Sequence, residues 1–266
     1  MLELARTSVA LIFMLYASWS DYKLREVSNK VWVIFAPVAF ILTFTEICTY
    51  DISQLQMYGI SFGLTAFFSF LIFYSGGFGG ADAKAMMCLA LALPFFPTSL
   101  LESSFLDVSP ISRMFFPLSV FSNSVLLAAL MAFVMLFYNI FWRLKNSDGL
   151  FAGQYVNASP GKKLLLLVTG RKVSVSTLKQ KWHVYPLEDL DEGHADGVRR
   201  RLTLLPKDEG RDATVQRLED AVRKGTIRDA VWATPGLPFL IFVTAGLVTA
   251  LFLGDIVWIC LHMLLG

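Results

Sequence analysis

Histidine and cysteine are scarce, with three of each in 266 residues. His183, His194 and His262 are scattered, and Cys48, Cys88 and Cys260 fall in separate apolar stretches with no Cys-x-x-Cys. Zinc needs its ligands closely grouped, so neither a metal nor another cofactor is expected. Isolated cysteines in apolar surroundings behave as small hydrophobes, which leaves no disulfide framework. The net charge is only +2, too small for a nucleic-acid partner. Locally charge is missing altogether, with none from 117 to 141 and none from 235 to 254. Helices of a soluble protein carry a polar face, so these stretches exclude a soluble helical domain and make membrane lipid the solvent.

What is present is apolar sequence, 55% of the chain. It falls into segments at 4–20, 31–49, 57–75, 85–101, 117–141 and 236–264, most of them near the ~20 residues a helix needs to cross the hydrocarbon. The expected fold is a polytopic α-helical membrane protein: six transmembrane helices with a small cytoplasmic α+β domain between the fifth and sixth. The expected division is 1–141 for a membrane domain with five spans, 142–234 for the cytoplasmic domain and 235–266 for the sixth span. Segment 4–20 carries Glu3 and Arg6 near its start and lacks a small-residue cleavage site before Asp21, so it reads as a span and not as a signal peptide. Segment 85–101 holds Pro94 and Pro97, which would kink or shorten it.

Basic residues orient the chain. With loop 20–30 inside, the inner side receives 21 of the 23 Lys and Arg, leaving Arg6 and Arg113 outside. Both termini then lie outside. Region 142–234 carries 17 basic and 12 acidic residues, a net of +5 that favours an anionic inner leaflet. Within it, 163–170 and 172–178 read as a β-hairpin turning at Gly170. Segments 182–187 and 201–206 read as strands, and 213–224 as a helix capped by Asp212 and stopped by Gly225.

Ionisable groups at membrane depth are where chemistry is sought, because burying them is costly. Asp21 closes the first span and Asp82 opens the fourth, at the same cytoplasmic depth. Two carboxylates within hydrogen-bonding reach share one proton. The ionised member can activate water, and the protonated one can serve the carbonyl oxygen and the leaving amine. Before Asp82 stands GGFGGAD (76–82), whose Gly76, Gly77, Gly79 and Gly80 suit a backbone shaped around a substrate strand. Ala81 predicts helical or extended geometry at its position, and Lys84 follows on the same helix as a site-shaping candidate. Pro235, Gly236 and Pro238 make the entry to the last span irregular, which a membrane tolerates only against protein or a polar cavity. Glu46 and Asp51 read as solvated, and Asp255, inside the last span, as structural. A transport reading would instead have Asp82 or Asp255 carry a proton or cation, but no inverted repeat accompanies them. A third class would be a scaffold working through 142–234.

An Asp after the first span, GGFGGAD opening a later one and PGLPF entering the last resemble the archaeal preflagellin peptidases, within the prepilin peptidase family of membrane aspartic proteases. That resemblance implies cleavage of class III signal peptides from archaellin or pilin-like precursors, on the cytoplasmic side of an archaeal cell membrane. It matches the catalytic pair to Asp21 and Asp82. The family's Gly-x-Gly-Asp reads here as Gly79-Gly80-Ala81-Asp82. The cysteine-rich loop of bacterial relatives is missing, which implies a peptidase without methyltransferase activity.

Overall fold

The computed structural model describes residues 1–98, 108–145, 150–151, 159–191, 199–202 and 210–265. Its helices and strands run α1 (Leu2–Leu24), α2 (Asn29–Tyr50), α3 (Leu55–Tyr74), α4 (Gly80–Ala92), α5 (Pro110–Met114), α6 (Phe116–Lys145), α7 (Pro160–Thr169), β1 (Arg171–Val173), α8 (Val175–Gln180), β2 (Val184–Pro186), β3 (Glu188–Asp191), β4 (Arg199–Leu202), α9 (Arg211–Arg223), β5 (Val231–Pro235), α10 (Phe239–Leu253) and α11 (Ile256–Leu265). The chain forms two compact units, Met1–Ala128 with Pro238–Gly266, and Ala129–Leu237. It is largely α-helical. Among the described residues α2, α3 with the short turn before it, and α6 are long and apolar enough to cross a membrane, and α10 with α11 makes a fourth if the bent pair is one span.

In the first unit α4 sits in the middle, packed against α1, α2, α3 and α10. Its inward residues Ala85, Met86 and Leu89 share one apolar core with Met14, Phe35 and Leu247. The segment expected as a span over 85–101 differs. The helix begins at Gly80 and ends at Ala92, 13 residues or about 20 Å, short of a full crossing. Pro94 is the cause: it disfavours helical geometry at the residue before it, and Leu93 leaves the helix at φ −132°. The carbonyls released at this end are met by buried side chains. Thr43 donates to Ala92, Tyr58 to Leu91 and Ser61 to Pro94, at 3.1, 3.3 and 3.1 Å.

Two further expectations change. Glu46 is not freely solvated but lies 2.9 Å from the guanidinium of buried Arg6 and is itself only partly exposed. Asp51 is exposed, binding the Ser53 N–H and Ser53 hydroxyl. Segment 236–264 is two helices meeting at 52°. Gly254 at φ +78° makes the break, using a region that only glycine enters freely. Asn123 spans it, donating to the Gly254 carbonyl at 2.9 Å and accepting from the Ile256 N–H at 3.0 Å.

The second unit has a three-stranded antiparallel sheet in the order β1-β5-β2 and a separate β3-β4 pair. The hairpin expected over 163–178 is instead α7, β1 and α8. An apolar run as short as Leu164–Val168 fits strand or helix equally; Pro160 at the first helical position is the deciding signal. The strand expected at 182–187 is β2, and of the one expected at 201–206 only its first two residues lie within the described β4. Helix α9 buries Val215, Leu218 and Ala221 as their spacing predicts. Its N-cap is Gly210 and not Asp212, which lies in the first turn paired with Arg211 at 2.6 Å. Gly225, at φ +70°, follows its end.

Candidate active site

Asp21 stands in the last turn of α1, beyond the apolar stretch 4–20. The helix closes on Arg25 in the left-handed region, φ 58°, whose N–H returns to the Asp21 carbonyl at 3.0 Å. The Asp21 carboxylate faces the start of α10 and accepts from the Leu240 N–H at 3.3 Å. Helix α10 needs that acceptor, because its N-cap is Pro238, whose side chain makes no capping bond. One turn deeper the two helices are clasped by hydroxyls. Ser18 donates to the Leu240 carbonyl at 2.8 Å and lies 2.6 Å from the Thr244 hydroxyl, which donates to the Met14 carbonyl at 3.1 Å.

Asp82 sits in the first turn of α4, before the apolar stretch 85–101. Its carboxylate accepts from the Gly79 N–H at 2.9 Å, one half of a capping box. The glycines before it have separate reasons. Gly76 has φ +80°. Gly77 is needed for space, since a Cβ there would lie 2.9 Å from Ile72 Cγ2. Gly79 is extended at φ −72°; a Cβ on it would stand 3.1 Å from Asp82 Oδ2. Gly80 has room, with Phe73 as its nearest neighbour at 3.7 Å. Ala81 is helical, as its side chain requires. Lys84 reaches across to α2, donating to Asn29 Oδ1 at 2.7 Å.

The two carboxylates lie within electrostatic reach. Burial pushes the Asp82 carboxyl up to about 6, the Gly79 N–H opposes this, and the Asp21 charge adds to the rise. Burial also raises Asp21, opposed by the Leu240 N–H and the Arg25 charge. Beneath them Phe78, from the glycine loop, rests against Phe121 and Phe239 at ring distances of 5.7 and 5.4 Å. Phe78 and Met86, one turn below Asp82 on its helix, also line a cavity of about 270 Å³ with Thr65, Phe68, Ile72 and Phe121.

The remaining candidates separate. Pro235 ends strand β5 in the second unit, where it pairs with Val184, and just past it the Gly236 N–H donates to the His183 carbonyl at 2.7 Å. Asp255 is 6% exposed and caps α11, accepting from the Val257 and Trp258 N–H groups and the Ser122 hydroxyl. Sequence reasoning missed the Ser18–Thr244 clasp and the Leu240 N–H. Hydroxyl side chains among the apolar residues of these helices were the available signal. No group of three or more His, Cys, Asp or Glu gathers for a metal among the described residues.

Two partly buried carboxylates at helix ends, on packed helices of a largely apolar bundle, mark a largely α-helical membrane-associated protein. Residues 8–141 match the type IV leader peptidase family and residues 162–256 match the archaeal peptidase A24 C-terminus, type II. The first match covers half of the chain, which belongs to the type IV leader peptidase family. It is similar to a preflagellin peptidase of Methanococcus voltae, 25% identical over 93% of this chain and 94% of the relative. A preflagellin peptidase of Methanococcus maripaludis is 23% identical over 91% and 92%.

Proposed function

We propose that the chain is a membrane aspartic endopeptidase that removes the class III signal peptide from archaellin or pilin-like precursors, with Asp21 and Asp82 as its acid–base pair facing the cytoplasm. The observation that carries this reading is that helices α1 and α4 pack together and each carries a partly buried carboxylate at its end, Asp21 and Asp82, 61 positions apart in sequence. Six crossings are part of the proposal: the apolar stretch 4–20 of α1, α2, α3, α4 beyond Asp82, α6, and the bent α10–α11 pair.

Asp21, held by the Leu240 N–H, takes a proton from water as the water oxygen attacks the scissile carbonyl carbon. Asp82, whose burial retains its proton, donates it to the carbonyl oxygen. When the tetrahedral diol collapses, the carbon–nitrogen bond breaks and the amine leaves with the proton taken up by Asp21, while a hydroxyl proton returns to Asp82. The apolar cavity one turn below Asp82 receives large side chains of the precursor's membrane-embedded segment. Lys84, tied to Asn29, keeps α4 in register with α2, and the glycine loop leaves backbone open beside the scissile strand.

The test is cleavage of a membrane-anchored precursor by the purified chain in lipid. The wild type should shorten the precursor, and Asp21→Asn and Asp82→Asn should each fail while remaining in the membrane. An intact precursor with wild type, or normal turnover by either variant, would overturn the reading.

A further inference from the structure

Helix α6 has 30 residues, about 45 Å of helix against a hydrocarbon core of about 30 Å. Its last turns carry Tyr138, Asn139, Trp142, Arg143 and Lys145, the aromatic and basic residues that concentrate at headgroup level. Asn139 is 1% exposed, and its amide donates to the carbonyls of Leu167 at 2.9 Å and Gly170 at 2.7 Å. Those residues close α7, so α7 is fastened to the last turns of α6. Arg171 lies over the Tyr138 ring at 5.7 Å and Lys172 over the Trp142 ring at 5.5 Å.

Helix α7 turns Leu166 inward and fully buries it, while Leu164 and Leu165 are 58% and 40% exposed. Lys162 and Lys163 precede them. A lone exposed leucine needs no explanation. Two on a helix fastened to the aromatic and basic end of α6, next to lysines, with Phe141 and Leu144 of α6 also exposed, make an amphipathic surface of the interfacial kind. We propose that α7 is an in-plane helix that binds anionic phospholipid. Leu164 and Leu165 enter the acyl boundary, and Lys162, with Arg143 and Lys145 of α6, meets the phosphates. The net charge of +5 over 142–234 draws this unit to such a leaflet. The inference does not depend on the proposed reaction.

The experiment uses the full chain with exposed Cys48 and Cys260 replaced by Ser, buried Cys88 retained and a nitroxide on Leu165→Cys, an exposed position whose substitution leaves the core intact. It is reconstituted in phosphatidylcholine vesicles with and without phosphatidylglycerol. With phosphatidylglycerol, oxygen should relax the label more than a water-soluble nickel chelate does, at a depth of about 5–10 Å. The depth should decrease in pure phosphatidylcholine, and Lys162→Glu should reproduce that decrease in the mixed vesicles. Full nickel access in the anionic vesicles would overturn the proposal, as would equal depth in both lipids. So would spin–spin broadening that vanishes on dilution with unlabelled protein, because a second copy would then cover α7.

Discussion

The Asp21 carboxylate caps a helix that begins more than two hundred positions later, accepting the Leu240 N–H at 3.3 Å. Helix α10 starts behind Pro238 without a side-chain cap of its own, so the proposed base and the first turn of α10 hold each other in place. The Ser18–Thr244 clasp sets the height at which they meet. On the other side α10 approaches α6 closely at Gly246, where a Cβ would stand 2.7 Å from the Val120 carbonyl. The position of the site is therefore a property of helix packing.

Asp21→Asn and Asp82→Asn should each lower precursor cleavage by about 10²–10⁴-fold, the usual contribution of a positioned proton carrier. The isosteric amides retain an oxygen for the Leu240 and Gly79 N–H groups, so membrane content and helicity should match wild type. Turnover within a few-fold of wild type would remove that residue from the mechanism.

Activity should fall as pH rises through about 6, where Asp82 gives up its proton. It should fall again at lower pH as Asp21 gains one, giving a bell with two macroscopic pKa values. Because the Asp21 charge raises Asp82, Asp21→Asn should lower the Asp82 titration. Carboxyl infrared bands from isotope-labelled protein report that shift directly; an unchanged midpoint would mean the two groups do not interact.

Gly79→Ala should reduce kcat by between about tenfold and 10²-fold with little change in KM, by pushing the Asp82 carboxylate out of place. Gly80→Ala has a nearest neighbour at 3.7 Å and should remain within a few-fold of wild type. Equal kcat for the two would show that the close approach at Gly79 does not position the acid.

Asp255→Ala should destabilise the bundle by about 0.5–2 kcal/mol, the cost of a lost N-cap, and leave cleavage largely intact. Thermal melting in detergent beside the cleavage assay separates these effects. Complete inactivation of a folded Asp255→Asn protein would instead make that carboxylate part of the chemistry.

Phe68→Ala and Phe121→Ala widen the cavity below Asp82. They should raise KM for precursors with bulky apolar residues just past the scissile bond more than for precursors with alanine there. Equal changes for both substrates would detach the cavity from recognition.

Much was legible in the chain before any fold was known. The uncharged stretches at 117–141 and 235–254 required a membrane, because no water-facing helix dispenses with charge over such lengths. Asp21, Asp82 and the glycines between 76 and 80 stood out because polar groups and conformational freedom are costly at a membrane's edge. Short apolar runs were not legible in the same way: Leu164–Val168 fits either period, and only Pro160 ahead of it marked a helix start.

Only the tertiary structure decided what each of these residues touches. It ended α4 at Ala92 and supplied Thr43, Tyr58 and Ser61 from other helices to satisfy its last carbonyls. It paired Glu46 with Arg6, placed Pro235 in the centre strand of a sheet, and brought the Leu240 amide to Asp21. Composition and periodicity register what a residue needs: burial, a partner or a turn. They carry no information about which distant segment meets that need, because the partner is chosen by how the helices pack.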